Sequence, residues 1–113
     1  MKLEEKDLGN DITLIAIEEA EANLNIADDF KSKVIQKIEL GERNLIVSFS
    51  NVTYIDSSFL GALVSVLKAL IAANGKLVLV DVNSNIYSLF EITRLNKVFV
   101  VDNSLEKAIS HFG

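Results

Sequence analysis

The sequence of 113 residues contains no cysteine, no proline and no tryptophan, and it has a single histidine. Without cysteine the chain can form no disulfide, no zinc–thiolate site and no thiol nucleophile. Acidic residues outnumber basic ones by 16 to 11, which gives a net charge of −5. This balance argues against a nucleic-acid partner, because binding to a phosphate backbone depends on lysine and arginine.

Long uninterrupted apolar runs are also missing. The longest apolar stretch, residues 59–73, is broken by Gly61, Ser65 and Lys68. It is too short to span a bilayer, so it predicts a buried helix and no membrane insertion. The first eleven residues carry charges throughout and lack the apolar core of a signal peptide. We therefore expect a cytoplasmic protein.

The length suits one domain over residues 1–113, and half of the residues are hydrophobic, which is enough for one core. Apolar periodicity and turn residues predict strands at 2–8, 12–17, 44–50, 76–82 and 98–101. Helices are predicted at 27–40 and 58–73, and after caps at Ser84 and at Asn103 or Ser104; Asn25 is the predicted cap of the first helix. Alternating strands and helices predict an α/β fold: a single-domain, mixed and mostly parallel β-sheet flanked by about four helices.

No catalytic constellation stands out in the sequence. Glycine-rich nucleotide-binding motifs and the G-x-S-x-G motif are absent. His111 lies near the end of the chain, where a solvated helix position is expected. Asp81 is expected inside its strand, so the carboxylate pocket of metal-dependent phosphoacceptor domains is not predicted. We expect a protein that is not an enzyme, with no catalytic residues, no metal site and no cofactor.

The segment at residues 54–61, which reads YIDSSFLG, lies between a central strand and the most apolar helix. In one interpretation, Asp56 and its neighbouring serines only cap the helix by accepting backbone N–H bonds. In the other, a serine hydroxyl at the helix N-terminus is a phosphoacceptor, because the N–H groups and the positive end of the dipole stabilise a phosphate. The spacing alone leaves both interpretations open.

The helix at 58–73 carries two apolar strips. At 100° per residue, the predicted core line consists of Leu60, Val64, Leu67 and Ile71. The second strip lies off this line and consists of Phe59, Ala62, Val66, Ala69 and Ala73. It either packs against a neighbouring helix or forms a partner surface beside the serine pair. We expect Phe59 to be partly exposed and to act as an apolar anchor for a partner.

The element order and the motif Asp56-Ser57-Ser58-x-Leu60-Gly61 after an apolar strand resemble the STAS domain. More narrowly, the chain is similar to free-standing anti-sigma factor antagonists of the bacterial sporulation and stress-response type. The resemblance extends over nearly the whole chain. Residues 30–34, 44–50 and 89–95 fall where the family has its first helix, a core strand and its third helix.

The resemblance implies a STAS fold and a function as a protein-binding switch in transcription regulation. Ser57 would be phosphorylated by an anti-sigma factor that is also a serine protein kinase. The unphosphorylated chain would sequester that anti-sigma factor and free a sigma factor, and a phosphatase would restore binding after phosphorylation. The residues expected to contact the partner flank the acceptor or lie in the loop before the first helix: Asp56, Ser58, Phe59, Glu21 and Asn23.

The chain departs from the family pattern at three places. Phe59 stands where the family usually has glycine, residues 20–23 read AEAN in place of Gly-Glu-Leu-Asp, and Arg94 replaces a common glycine. The alternative function is that of a STAS subunit with a structural role in another assembly, such as a lipid-transport complex or a stress-signalling particle. A small enzyme is a third class, and the lack of a nucleophile–base pair counts against it.

Overall fold

The computed structural model describes residues 1–112. The strands are β1 Leu3–Asp7, β2 Ile12–Ile17, β3 Glu21–Ala22, β4 Asn44–Ser48, β5 Tyr54–Ile55, β6 Lys76–Val80 and β7 Val100–Asp102. The helices are α1 Leu24–Glu39, α2 Ser57–Ala72, α3 Ser84–Ile92 and α4 Leu105–Ser110, with a 3₁₀ turn at Leu95–Lys97. The predicted α/β class and the predicted number of helices are confirmed.

The main sheet has five strands in the order β1-β2-β4-β6-β7. Only β1 runs antiparallel to its neighbour β2, and the other pairs are parallel. The mixed, mostly parallel sheet is therefore confirmed. The two-residue strands β3 and β5 form a separate parallel pair. No helix within residues 1–112 is both long and apolar enough to cross a membrane.

Both faces of the sheet are covered by helices. In β4, Leu45 and Val47 point into a core with α1, α2 and α3, whereas Ile46 points to the other face, against Ala108 of α4. Because β4 and β6 are buried on both faces, their sequences are nearly continuous apolar runs rather than alternating ones.

The expectation that Phe59 is a partly exposed anchor is wrong. Its side chain is fully buried, and its ring centroid lies 4.8 Å from that of Phe30 in α1. Ala62 and Val66 of the same strip are buried as well, whereas Ile71 of the predicted core line is 61% exposed. The physical reason is that α2 packs against the sheet and against α1 at once. Because α2 has two neighbours, it buries a broader face than a helix that packs on a sheet alone. The centre of that face is rotated away from the predicted core line.

Two helix caps lie one or two residues earlier than predicted. Asn23, not Asn25, caps α1, with its Oδ1 accepting the Asn25 N–H at 3.0 Å. Asn83, not Ser84, caps α3, with its Oδ1 accepting the Ile86 N–H at 2.9 Å. Of the two candidates for α4, Ser104 is the cap. Several adjacent polar residues can cap a helix, so the sequence could not distinguish among them.

Arg94 adopts a left-handed backbone conformation, with φ of 63°, directly after Thr93, the C-cap of α3. Its N–H donates to the Glu91 carbonyl at 3.1 Å, so the residue closes the last turn of the helix. This conformation costs a residue with a Cβ about 1–2 kcal/mol, whereas glycine adopts it freely. This geometry is the one that the glycine expected here from the resemblance would adopt without strain.

Phe59→Ala should lower the free energy of unfolding by about 3–5 kcal/mol, because it removes a buried ring and leaves a cavity beside Phe30. Tyr54→Ala is the matched control: Tyr54 is 55% exposed, and its loss should cost no more than about 0.5 kcal/mol. Urea unfolding followed by circular dichroism measures both. Equal losses for the two variants would contradict the assignment of Phe59 to the core.

Arg94→Gly should raise the free energy of unfolding by about 0.5–1 kcal/mol, since relief of the left-handed strain exceeds the extra entropy of glycine in the unfolded chain. Arg94→Ala keeps the strain and removes the same side chain, so it should bring no gain. The same urea experiment compares the two variants. A gain of similar size in Arg94→Ala would show that the side chain, and not the backbone, is responsible.

Candidate functional site

The predicted acceptor segment lies at the edge of the sheet where the parallel strands end. Here β5, which precedes Ser57, pairs with β3, so that Tyr54 lies beside Glu21. The Thr53 N–H donates to the Ala20 carbonyl at 2.8 Å, and the Asp56 N–H donates to the Ala22 carbonyl at 3.2 Å. The loop before α1 and the loop before α2 are therefore held together by backbone hydrogen bonds.

The Asp56 carboxylate joins the N-termini of two helices. Its Oδ1 accepts the Phe59 N–H at 2.9 Å and so caps α2. Its Oδ2 accepts the N–H of Leu24, the first residue of α1, at 2.8 Å. The first N–H groups of a helix have no partner within the helix, and a carboxylate is a good acceptor for them. We refer to this two-helix contact as the Asp56 clamp.

Asn83 attaches the third helix to the same edge. Its Nδ2 donates to the carbonyls of Val52 and Thr53, at 3.3 and 3.2 Å, while its Oδ1 caps α3. The N-termini of α1, α2 and α3 are thus connected through two short polar side chains. The backbone around Ser57 is therefore fixed from both sides.

Ser57 is the first residue of α2 and is exposed, whereas Ser58 is half-buried. The side chain that caps α2 is that of Asp56, so the capping interpretation applies to Asp56 rather than to the serine pair. The Ser57 hydroxyl lies on the surface at the positive end of a 16-residue helix. A phosphate at this position meets a favourable dipole.

A groove of about 560 Å³ runs between β5 and α3, and Ser57 is part of its wall. Its apolar lining is Tyr54, Ile55, Ile86, Leu89 and Ile92, and Asp56 also contributes to it. We refer to it as the β5–α3 groove. The sequence does not predict this groove, because Leu89 and Ile86 have the spacing of core residues. The available signal was Ile92, which continues the three-residue spacing of Ile86 and Leu89 and so lies away from the core face of α3, because three residues fall short of one helical turn.

The five predicted partner contacts have different surroundings in the structure. Glu21 is exposed, and Ser58 is half-buried. Asn23 and Asp56 use their side-chain oxygens as helix caps. Phe59 belongs to the core. The segment thus combines structural side chains, which fix the loop, with the exposed residues Ser57 and Glu21.

Asp81 follows β6 rather than lying inside the strand, which corrects its expected position, and its φ of 58° turns the chain there. In the part of the chain that the structure describes, no cluster of three or more His, Cys, Asp or Glu side chains could hold a metal ion. His111 is exposed at the end of α4, and its Nε2 contacts the Asp102 carboxylate.

Asp56→Asn should keep one hydrogen bond of the Asp56 clamp and remove the other. The amide oxygen can still accept the Phe59 N–H, but an amide nitrogen in place of Oδ2 cannot accept the Leu24 N–H. Hydrogen exchange should therefore accelerate at the Leu24 amide and stay slow at the Phe59 amide. Asp56→Ala should expose both amides and cost about 1–2 kcal/mol. Asn23→Ala, which removes a single cap of α1, is the control and should leave the Phe59 amide protected. Equal acceleration at both amides in Asp56→Asn would contradict this division.

The comparisons with known proteins agree on one family. The family model described as the STAS domain matches residues 11–108. BtrV of Bordetella bronchiseptica, named as a candidate anti-sigma factor antagonist, is 29% identical over 99 residues, which cover 88% of this chain and 85% of BtrV.

Two solved structures share the fold. A candidate anti-sigma factor antagonist of Thermotoga maritima has a TM-score of 0.87 at 22% identity, covering 97% of this chain and 93% of that one. The Bacillus anti-sigma factor antagonist SpoIIAA has TM-scores of 0.75 unphosphorylated and 0.76 phosphorylated, each at 18% identity. The two comparisons cover 97% and 99% of this chain, and 96% and 100% of SpoIIAA. Since the family model extends from the start of β2 into α4, and the same fold recurs in these structures, the chain belongs to the STAS domain family.

Proposed function

We propose that this protein is an anti-sigma factor antagonist controlled by phosphorylation of Ser57. The unphosphorylated chain binds an anti-sigma factor that is also a serine protein kinase, and thereby frees a sigma factor. Phosphorylation ends the binding, and a phosphatase restores it. The protein works by binding in the cytoplasm and carries out no reaction of its own.

The observation that carries the proposal is the position of Ser57. Its hydroxyl lies on an exposed helix N-terminus, at a loop held by the Asp56 clamp and by the β3–β5 pair. A kinase needs an accessible acceptor, and a rigid loop presents that acceptor in one orientation. The relatives named as anti-sigma factor antagonists supply the biological context.

The physical effect of the phosphate would be local. A phosphoserine carries about −1.5 to −2 charges at pH 7. The positive end of the α2 dipole stabilises such a charge by about 0.3–1 kcal/mol at an exposed site, and repulsion from neighbouring Asp56 offsets part of that gain. The net effect on folding is small, so the phosphate acts on the binding surface. SpoIIAA matches the fold of this chain over nearly its whole length in both its unphosphorylated and its phosphorylated form, which is in keeping with a switch that does not refold the domain.

Transfer of labelled phosphate from ATP tests the acceptor. The kinases to use are the serine-kinase anti-sigma factors of the source organism, each purified and assayed separately with this chain. Ser57→Ala should lose the label, whereas Ser58→Ala should keep most of it, because Ser58 is half-buried. The reverse pattern would move the acceptor to Ser58.

Ser57→Asp, which imitates the charge, should have a melting temperature within a few degrees of the wild type and should bind the same anti-sigma factor more weakly. A much lower melting temperature would mean that the phosphate acts by unfolding the domain. If no kinase labels or binds the wild-type chain, the structural role in another STAS assembly becomes the better explanation.

A further inference from the structure

The outer edge of β1 is a strand edge of the main sheet that no other strand within residues 1–112 pairs with. It is five residues long, whereas β7 at the opposite end of the sheet has three. Apart from Leu3, the residues of β1 are exposed, and all four of them are charged. Charges on an edge strand prevent unspecific pairing. They also favour one particular partner strand when its charges have the complementary order.

The backbone of β1 presents every second residue to this edge. The Glu18 N–H donates to the Lys2 carbonyl, and the Leu8 N–H donates to the Ile12 carbonyl, both at 2.9 Å. Because hydrogen-bonded residues alternate along an antiparallel pair, these two bonds show that the even-numbered residues of β1 bond to β2. The odd-numbered residues therefore direct their N–H and carbonyl groups away from β2, where another strand can bond to them.

We propose that the partner at this edge is a second copy of the same chain, with the two β1 strands antiparallel about a two-fold axis at Glu5. Glu5 then forms backbone hydrogen bonds with Glu5 of the second copy, and Leu3 forms them with Asp7 of the second copy. An axis normal to the sheet keeps corresponding faces on the same side. The two main sheets thus become one continuous sheet, with five strands from each copy.

The charges on β1 select this register. Glu4 and Lys6 lie on the same face of the sheet, because successive side chains of a strand alternate between its faces. The axis at Glu5 places Glu4 opposite Lys6 of the second copy, and Lys6 opposite Glu4. These are non-hydrogen-bonded pairs, in which facing side chains lie closest. An axis at Glu4 or at Lys6 would instead place two like charges opposite each other, which is destabilising.

The ion pairs within the chain agree with this arrangement. The axis brings two copies of Glu5 together, but each is already paired with Lys37 of α1, whose side chain is only 15% exposed. Glu4 and Lys6 have no ion-pair partner in the described part of the chain, residues 1–112. Their charges are therefore available to the second copy.

The edge is also open to a second copy. A groove of about 520 Å³ lies between β1 and α1, so the helix does not close over the outer edge of β1. Neither β1 nor this groove includes Ser57. Each copy therefore keeps its acceptor serine exposed, and the dimer presents two of them.

Exchange of charges between the two copies tests the register by analytical ultracentrifugation. The wild type should form a species of twice the 12.4 kDa of one chain. Glu4→Lys places lysine opposite lysine, and Lys6→Glu places glutamate opposite glutamate, so each variant alone should dimerise about tenfold more weakly or worse. An equimolar mixture of the two variants restores both opposite-charge pairs. It should form a heterodimer with an affinity within about threefold of the wild-type value, which also shows that both variants are folded.

Glu91→Lys and Lys68→Glu are the matched controls, because they make the same changes of charge at exposed positions on α3 and α2. Each should change the affinity less than about twofold, since salt screens distant charges. A wild type that stays monomeric up to about 1 mM would overturn the proposal. So would a dimer that both β1 variants retain, or a mixture of the two variants that stays monomeric.

Amide hydrogen exchange locates the interface independently. The Glu5 N–H points to the outer edge, so its exchange should be about tenfold slower or more in the wild-type dimer than in the Glu4→Lys monomer. The amides of β6, in the interior of the sheet, should exchange alike in the two proteins. Equal exchange at Glu5, with slowing confined to another surface, would place the interface elsewhere and contradict the pairing of β1.

Discussion

The Asp56 carboxylate is the contact on which the geometry of the site depends. One oxygen accepts the Phe59 N–H at the start of α2, and the other accepts the Leu24 N–H at the start of α1. Each bond satisfies a backbone donor that its own helix leaves without a partner. Because the two bonds share one short side chain, the spacing of the two helix starts is fixed. Ser57 therefore has little freedom to move relative to the loop that carries Glu21.

Beneath this polar contact lies an apolar one. Phe59, the third residue of α2, packs on Phe30 of α1, so the same two helices are joined both at their N-termini and through their side chains. Because this core excludes water below the Asp56 clamp, it stabilises the position of the loop that leads to Ser57. Helix geometry gives three residues of the segment 56–59 different roles: Asp56 caps α2, Ser57 faces solvent and Phe59 faces the core.

Much of the fold could be predicted from the sequence because periodicity and turn residues are local signals. The strand at Ile12–Ile17 was predicted with its exact bounds, and the helices were placed within a few residues of their ends. The caps were less certain, since Asn23 and Asn25, or Asn83 and Ser84, have the same chemistry. The pair of two-residue strands β3 and β5 has no sequence signal of its own, because so short a pair forms only where the surrounding loops bring the two strands together.

The sequence by itself determined the α/β class, the order of the helices and of the main-sheet strands, and the place of a serine pair after an aspartate at the start of the most apolar helix. It could do so because each of these features depends on residues close together in the chain. Only the tertiary structure decided that Phe59 lies in the core, that Asp56 serves two helices, and that Tyr54 and Ile92 form one groove. These three features depend on how α1, α2 and α3 pack beside one another, and a periodic pattern shows that a helix has an apolar face without showing which neighbour covers it.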